Sequence, residues 1–312
     1  MSAAVVECVP NFSEGRDLRR VEAIVAAMRV EGVRLLDWSM DPDHNRSVVT
    51  IVGDPAAVVE SAVRGAGRAA ELIDLTRQEG VHPRIGAADV IPFVPITGIK
   101  LEQCALLARQ AGLEIWRRFE VPVYFYGAAA ARPDRANLEE VRRGQFEGLR
   151  DASSKEPARR PDLGGPGLHP TAGACAVGAR KFLVAYNLYF DSSDVAMVRA
   201  IAREIRAASG GLQGVQAMGV LAHGRAQLSM NIADFSLTPL SQVFLKATEL
   251  ARRHKTVPAG GEVIGLIPEA ACERESEWMR QLIGFDPQTK ILEHRLADPL
   301  AWPELRKGIE FT

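Results

Sequence analysis

Apolar positions recur along this chain in two successive sets with the same order of periods. In the first set, residues 5–12 read as a strand. A helix follows Asp17, with Leu18, Val21, Ile24, Val25 and Met28 on one face. Residues 33–38 and 47–52 read as strands joined by the turn-forming stretch 39–45. Asp54 and Pro55 give an N-cap followed by proline at the first helical position, and Val59, Val63, Ala66, Ala70 and Ile73 line one helical face. A strand at 90–96, a helix at 101–119 and a strand at 121–126 complete this half. The second set runs through a strand at 182–190 and a helix capped by Ser192 or Ser193, with Val198, Ile201, Ala202 and Ile205 inward, ended by Gly210 and Gly211. A hairpin of 215–221 and 225–232 turns across His223–Gly224. A helix then starts at Thr238–Pro239, with Leu240, Val243, Phe244, Ala247 and Leu250 on its face, and a strand at 262–267 closes the set.

A β-α-β-β-α-β order makes an antiparallel sheet with both helices on one face. The other face needs cover, and two such units can cover each other sheet to sheet, leaving a crevice. In 226–232, Ala226, Leu228, Met230 and Ile232 point one way and Gln227, Ser229 and Asn231 the other, toward that crevice or toward solvent. The segment 132–168, charged and then rich in glycine and proline, reads as a connection or functional loop, with a helix within 137–149. The expected domains are 1–178 and 179–312. A length of 312 residues suits two domains of about 150 each.

Composition narrows the function classes. With 47 % hydrophobic and 25 % charged residues the chain is globular in type. A formal charge of −1 gives no basic field for nucleic acid or an anionic membrane. The pairs Arg142–Arg143, Arg159–Arg160 and Arg252–Arg253 read as solvated surface. The start, Met-Ser-Ala-Ala-Val-Val-Glu-Cys, lacks the pattern of a secretory signal, and the most apolar stretch, 121–131, is shorter than the roughly 20 residues a bilayer needs. Cys8, Cys104, Cys175 and Cys272 are scattered, which fits a reducing cytoplasm and small buried side chains, with no metal expected.

Three segments put reactive side chains beside prolines and glycines: 41–46, 81–89 and 161–173. His82, held extended by Pro83, lies two residues from Arg84 and seven from Asp89. Histidine takes and returns protons near neutral pH, as transfer to or from an amine requires. His44 and His169 are the alternatives. Arg46 and Arg84 suit carboxylates through paired hydrogen bonds, or else serve as surface ion pairs. The run Gly164, Gly165, Gly167 and Gly173 permits close approach of backbone to a flat ligand, or is a flexible connection. It is neither a dinucleotide fingerprint nor a phosphate loop.

Six ordered strings carry a resemblance. They are Val6-Glu-Cys-Val-Pro-Asn-Phe-Ser-Glu-Gly15, Asn45-Arg46, His82-Pro-Arg84, Pro92-Phe93, Tyr124-Phe-Tyr-Gly127 and Gly178-Ala-Arg-Lys-Phe182. With them the chain resembles the formiminotransferase family nearly end to end, including the N-terminal part of bifunctional formimidoyltransferase-cyclodeaminases. The resemblance implies an α/β (α+β) fold of two ferredoxin-like βαββαβ subdomains with facing sheets. It implies transfer of the formimino group of N-formimino-L-glutamate to N5 of tetrahydrofolate, a step of histidine degradation, with His82 as acid/base. It places folate on Gly164, Gly165, Pro166, Gly167, Leu168, His169, Pro170, Thr171, Ala172 and Gly173, and the donor on Asn45, Arg46 and Arg84. A homodimer is implied, and a separate cyclodeaminase for the next step. Ser39, where relatives often carry an acid, and Ala172, where some carry an aromatic, depart from the pattern. They leave open a 5-formyltetrahydrofolate-directed formyltransferase or cycloligase, and a non-catalytic folate-binding module is the reading from outside enzymology.

Overall fold

The computed structural model describes residues 4–298, so residues 1–3 and 299–312 of the two expected domains lie outside it. It divides after Arg180, and the second compact unit spans Lys181–Asp298.

In the first unit the strand expected at 5–12 is two, β1 Val5–Cys8 and β2 Asn11–Phe12. Pro10 has no N–H to donate, which interrupts the ladder. Both pieces stay between the same neighbours, since Val9 N donates to Pro92 O at 3.2 Å and Pro10 O accepts from Val49 N at 3.0 Å. Then come α1 Leu18–Ala27, capped by the Asp17 carboxylate, β3 Val33–Asp41, β4 Arg46–Gly53 and α2 Pro55–Leu72, capped by Asp54. β5 Ala88–Thr97, α3 Leu101–Phe119 and β6 Val123–Gly127 follow. The helix expected within 137–149 is a pair, α4 Leu138–Val141 and α5 Gln145–Lys155, parted by Gly144 at φ +86°. β7 Cys175–Ala179 closes the unit.

The sheet order is β3-β4-(β1, β2)-β5-β7-β6. Its first four positions are the antiparallel ferredoxin-like arrangement, and β7 adds a parallel strand to both β5 and β6. Val21, Ile24, Val58, Val63 and Ile115 of the helices pack with Val6, Phe12, Ile51 and Phe93 of the strands. Val141 and Leu149 of α4 and α5 pack instead with Val90, Tyr124 and Tyr126, in a smaller separate cluster.

The second unit contains β8 Val184–Phe190, α6 Val195–Ile205, β9 Val215–Ala222, β10 Arg225–Ile232, α7 Leu240–Arg253 and β11 Gly260–Ile264. Its order, β11-β8-β10-β9 with every pair antiparallel, is the ferredoxin-like one. His223 and Gly224 turn the hairpin at φ 52° and 69°, as a tight two-residue turn requires. The cap of α6 is Asp194, whose carboxylate accepts from Met197 N at 3.1 Å; Ser192 instead accepts from Asp194 N. The helix ends at Ile205, ahead of the glycines, and Gly210 closes the next turn. The inward set of β10 is buried as its period predicts. On its polar side Gln227 is also buried, and it joins Asn187 and Tyr189 around Glu262 Oε1 at 3.5, 2.9 and 2.5 Å.

Candidate active site

The candidate site grows from an irregularity in β5. Asn11 pairs with Val90 and Phe12 with Ala88, so Asp89 is an extra residue in the ladder. Strict alternation would put Asp89 with Ile91 and Phe93 in the helix-side core. The bulge re-aims it. Its fully buried carboxylate accepts from Arg46 Nη1 at 2.7 Å and Arg142 Nη2 at 2.5 Å on one oxygen, and from Ile85 N at 2.8 Å on the other. Arg46 Nε also donates to Asn11 Oδ1 at 3.0 Å. Burial alone would raise the Asp89 pKa, but Arg142, Arg46 and the Ile85 N–H outweigh it and hold the carboxyl below the usual aspartate value. Burial, partly offset by Asp89, brings Arg46 down to about 10, so it stays charged at neutral pH. Two guanidiniums on one carboxylate leave a local surplus of one positive charge.

His82 lies in the loop before β5, partly buried. Its Nδ1 is 2.8 Å from Pro83 O. A carbonyl only accepts, so Nδ1 carries the hydrogen and Nε2 keeps its lone pair. Burial, then the charges of Arg46 and Arg142, hold the imidazole well below its ordinary pKa. The ring is therefore a neutral base at physiological pH. The His44 ring is 6.0 Å away, centroid to centroid.

The remaining donor-site candidates hold this loop in place. Asn45, at φ 47°, accepts from Gly15 N at 2.9 Å and donates to Glu79 O at 2.8 Å. Arg84 spends all five N–H groups on the protein: Gln78 Oε1 and O, Gln145 Oε1, and both oxygens of Glu147. Arg84→Lys keeps one charge but loses this fork. It is expected to cost about 1–3 kcal/mol, the price of unpaired buried partners, read as a lower melting temperature. An unchanged melting temperature would remove this anchoring role.

Residues 171–174 meet that loop at its ends. Thr171 O accepts from Leu75 N, Ala172 O from Ala87 N, and Ala174 N donates to Ile85 O, each at 2.9 Å. Gly173, at φ +70°, has no room for a Cβ, which would fall 2.1 Å from Ile85 O. The His169 ring accepts from Ala172 N through Nδ1 at 3.0 Å, so its hydrogen is on Nε2. Gly164 packs against the Trp116 ring, where a Cβ would come within 2.4 Å, while Gly167 faces open space. The structure thus joins His82, Arg46, Arg84, Asn45 and the 169–173 turn through one connected loop.

Sequence reasoning missed Asp89 and Arg142 as site residues. Arg142 corrects the reading of Arg142–Arg143 as solvated surface: its side chain is 14 % exposed against 69 % for Arg143. The signal was helical phase, since Arg142 stands four residues after Leu138 and four before Phe146, on the apolar stripe. Tyr126, pushed up to about 12 chiefly by burial, bonds Arg180 nearby. Among the described residues no group of three or more His, Cys, Asp or Glu could hold a metal ion, and no helix is long and apolar enough to cross a membrane.

Comparison with known proteins identifies the family. A family model described as the formiminotransferase domain, N-terminal subdomain, matches residues 5–180, and one described as the formiminotransferase domain matches residues 185–281. The chain is 42 % identical to a glutamate formimidoyltransferase of Streptococcus pyogenes serotype M1, over 94 % of this chain and 99 % of that one. It is equally similar, at 42 %, to one of Thermoplasma acidophilum, over 94 % and 97 %. Against a formimidoyltransferase-cyclodeaminase of Mus musculus it is 36 % identical, over 94 % of this chain and 60 % of the longer protein.

Proposed function

The chain belongs to the formiminotransferase family, and from that premise we propose that it is the enzyme that moves the formimino group of N-formimino-L-glutamate to N5 of tetrahydrofolate, with His82 as its acid/base. The observation that carries the assignment is the neutral His82 ring, its Nε2 lone pair free, beside two guanidiniums. The N5 amine of the co-substrate attacks the formimino carbon, and a tetrahedral intermediate forms. His82 Nε2 takes the proton that N5 sheds and returns it to the glutamate nitrogen as the carbon–nitrogen bond breaks. The products are 5-formiminotetrahydrofolate and L-glutamate. Arg46 anchors a donor carboxylate, while Arg84 and Asn45 serve the donor by fixing the loop that carries His82. The test is an assay of tetrahydrofolate with formiminoglutamate beside one with N-formylglutamate, and one of 5-formyltetrahydrofolate turnover. Transfer from formiminoglutamate alone is expected. Turnover of only the formyl compounds would replace this reading.

Tetrahydrofolate is assigned to the 164–173 stretch. Gly167 is where the assignment can be tested cleanly, since a side chain there meets no protein atom within 4 Å and its φ is not positive. Gly167→Val is therefore expected to fold normally, with a stability change within about 0.5 kcal/mol. It should weaken tetrahydrofolate binding about tenfold or more by standing where the ligand approaches. Calorimetry showing unchanged folate affinity would move the site elsewhere. The enzyme is further assigned to the cytoplasm and to histidine degradation, as a homodimer. Light scattering that gives a monomer at micromolar concentration would remove the dimer.

A further inference from the structure

Folding alone gives a poor account of the Arg46–Asp89–Arg142 group. One carboxylate neutralises one of the two guanidiniums, and both side chains are largely buried, at 8 % and 14 % exposure. Arg46 uses Nε and Nη1, and among the described residues its Nη2 has no partner. The Arg142 side chain bonds only Asp89, and its Nε is buried without a partner. A buried donor left unmade, as Arg142 Nε is, is costly, and a surplus charge more so. A second acceptor of charge −1 supplies what is lacking.

Resting on the functional reading above, we infer that Arg46 and Arg142, set side by side on Asp89, are the receptor for the α-carboxylate of the formimino donor, with Asp89 as the residue that positions both. The choice among carboxylates follows from connectivity. In N-formimino-L-glutamate the α-carboxylate is bonded to the carbon that bears the leaving nitrogen. A cation whose field reaches His82 is therefore placed for that group. The carboxylates of the folate tail are separated from N5 by the whole pterin-to-benzoyl span. The γ-carboxylate is two methylenes further from the reacting nitrogen. Paired guanidiniums suit a planar carboxylate because each offers directed N–H groups in addition to charge.

The same arrangement sets the proton chemistry. The charged and titratable groups that act on His82 are Arg46 from β4, Arg142 after α4, and His44 from the turn between β3 and β4, with Asp89 behind the two arginines. Each cation disfavours imidazolium, so removing one raises the pH at which His82 takes a proton.

The test uses Arg142→Gln and Arg142→Lys in the full-length enzyme, each checked for fold by circular dichroism. Binding of formiminoglutamate and of its α-amide is measured by calorimetry without folate, and KM for both co-substrates and the pH profile of kcat/KM by initial rates. Arg142→Gln is expected to weaken formiminoglutamate about 10- to 100-fold, the effect of losing a charged hydrogen bond, and to leave the KM for tetrahydrofolate within about twofold. Wild type should prefer the acid over its α-amide by a similar factor, and Arg142→Gln should lose that preference. The acidic limb of kcat/KM should move to higher pH in Arg142→Gln and return in Arg142→Lys, which restores charge without the fork. A merely structural arginine would move the limb through its charge beside His82 but would leave the acid–amide preference in place. A rise confined to the KM for tetrahydrofolate, or an acid–amide preference that survives in a folded Arg142→Gln, would overturn the inference alone. A wild type that neither binds nor consumes formiminoglutamate would remove the functional reading and this inference with it.

Discussion

His82→Asn is expected to keep the fold and most of the folate affinity while losing transfer by about 10²- to 10⁴-fold, the usual worth of a general acid-base group. Asparagine reproduces part of the imidazole's hydrogen bonding, including donation toward Pro83 O, but cannot take a proton at neutral pH. The other two histidines should lose less. The His44 ring lies 6.0 Å from that of His82, and His169 has its Nδ1 committed to a backbone N–H in its own turn. Single-turnover transfer in all three Asn variants, with folate affinity alongside, ranks them. Near-normal transfer in His82→Asn, or a larger chemical defect in either rival, would reassign the base. The pH dependence gives a second reading. Burial and the two guanidiniums lower the His82 pKa, so kcat/KM in the wild type should stay level through pH 6.5, the ordinary imidazole value, and fall only below it.

The parts of this fold that are legible in the sequence are those set by local period. Both βαββαβ sets are readable because each helix carries one apolar face and each strand a period of two. The place where β1 and β2 part is visible as Pro10, once the ladder's need for an N–H is considered. β7 is not legible in the same way. Cys175–Ala179 is five residues of small side chains, and its seat between β5 and β6 comes from parallel pairing with strands far back in the chain. The cap at Asp194 was obscured by two serines just before it, each an equally good acceptor.

The site divides along the same line. His82 could be singled out because Pro83 stiffens it and because it stands in a matched family string. Asp89 stands in the reactive segment 81–89, just before the strand expected at 90–96; the bulge that turns it toward Arg46 and Arg142 depends on pairing with β2 and has no local signal. Arg142 was hidden by its neighbour, because two adjacent arginines look like surface whichever of them turns inward. Long-range geometry, more than residue type, separates these two from the ordinary charged residues around them.

Asp89→Ala is expected to be the most destabilising single change at the site, by about 3–5 kcal/mol. It removes the counter-charge from two largely buried guanidiniums and leaves the Ile85 N–H unpaired. Asp89→Asn should cost less, because an amide oxygen still serves one of these donors, though the charge is gone. The sign of the pH dependence follows from the Asp89 pKa, which lies below the aspartate value of an unfolded chain. A depressed carboxyl pKa contributes stability that is complete above the unfolded value of about 3.9 and is lost as pH falls through the folded one. The stability gap between wild type and Asp89→Ala should therefore be full at pH 7 and shrink on acidification below that value. Urea unfolding at several pH values, followed by circular dichroism, measures it. Equal stability of the two proteins at pH 7 would show that Asp89 does not hold this face of the sheet. A gap that widened on acidification would show that the carboxylate is not held in its charged form by the arginines, and would take away the physical basis for its positioning role as well. One buried charge is thus asked to do two things: to let two arginines sit beside a neutral histidine, and to leave them one positive charge in excess for a ligand.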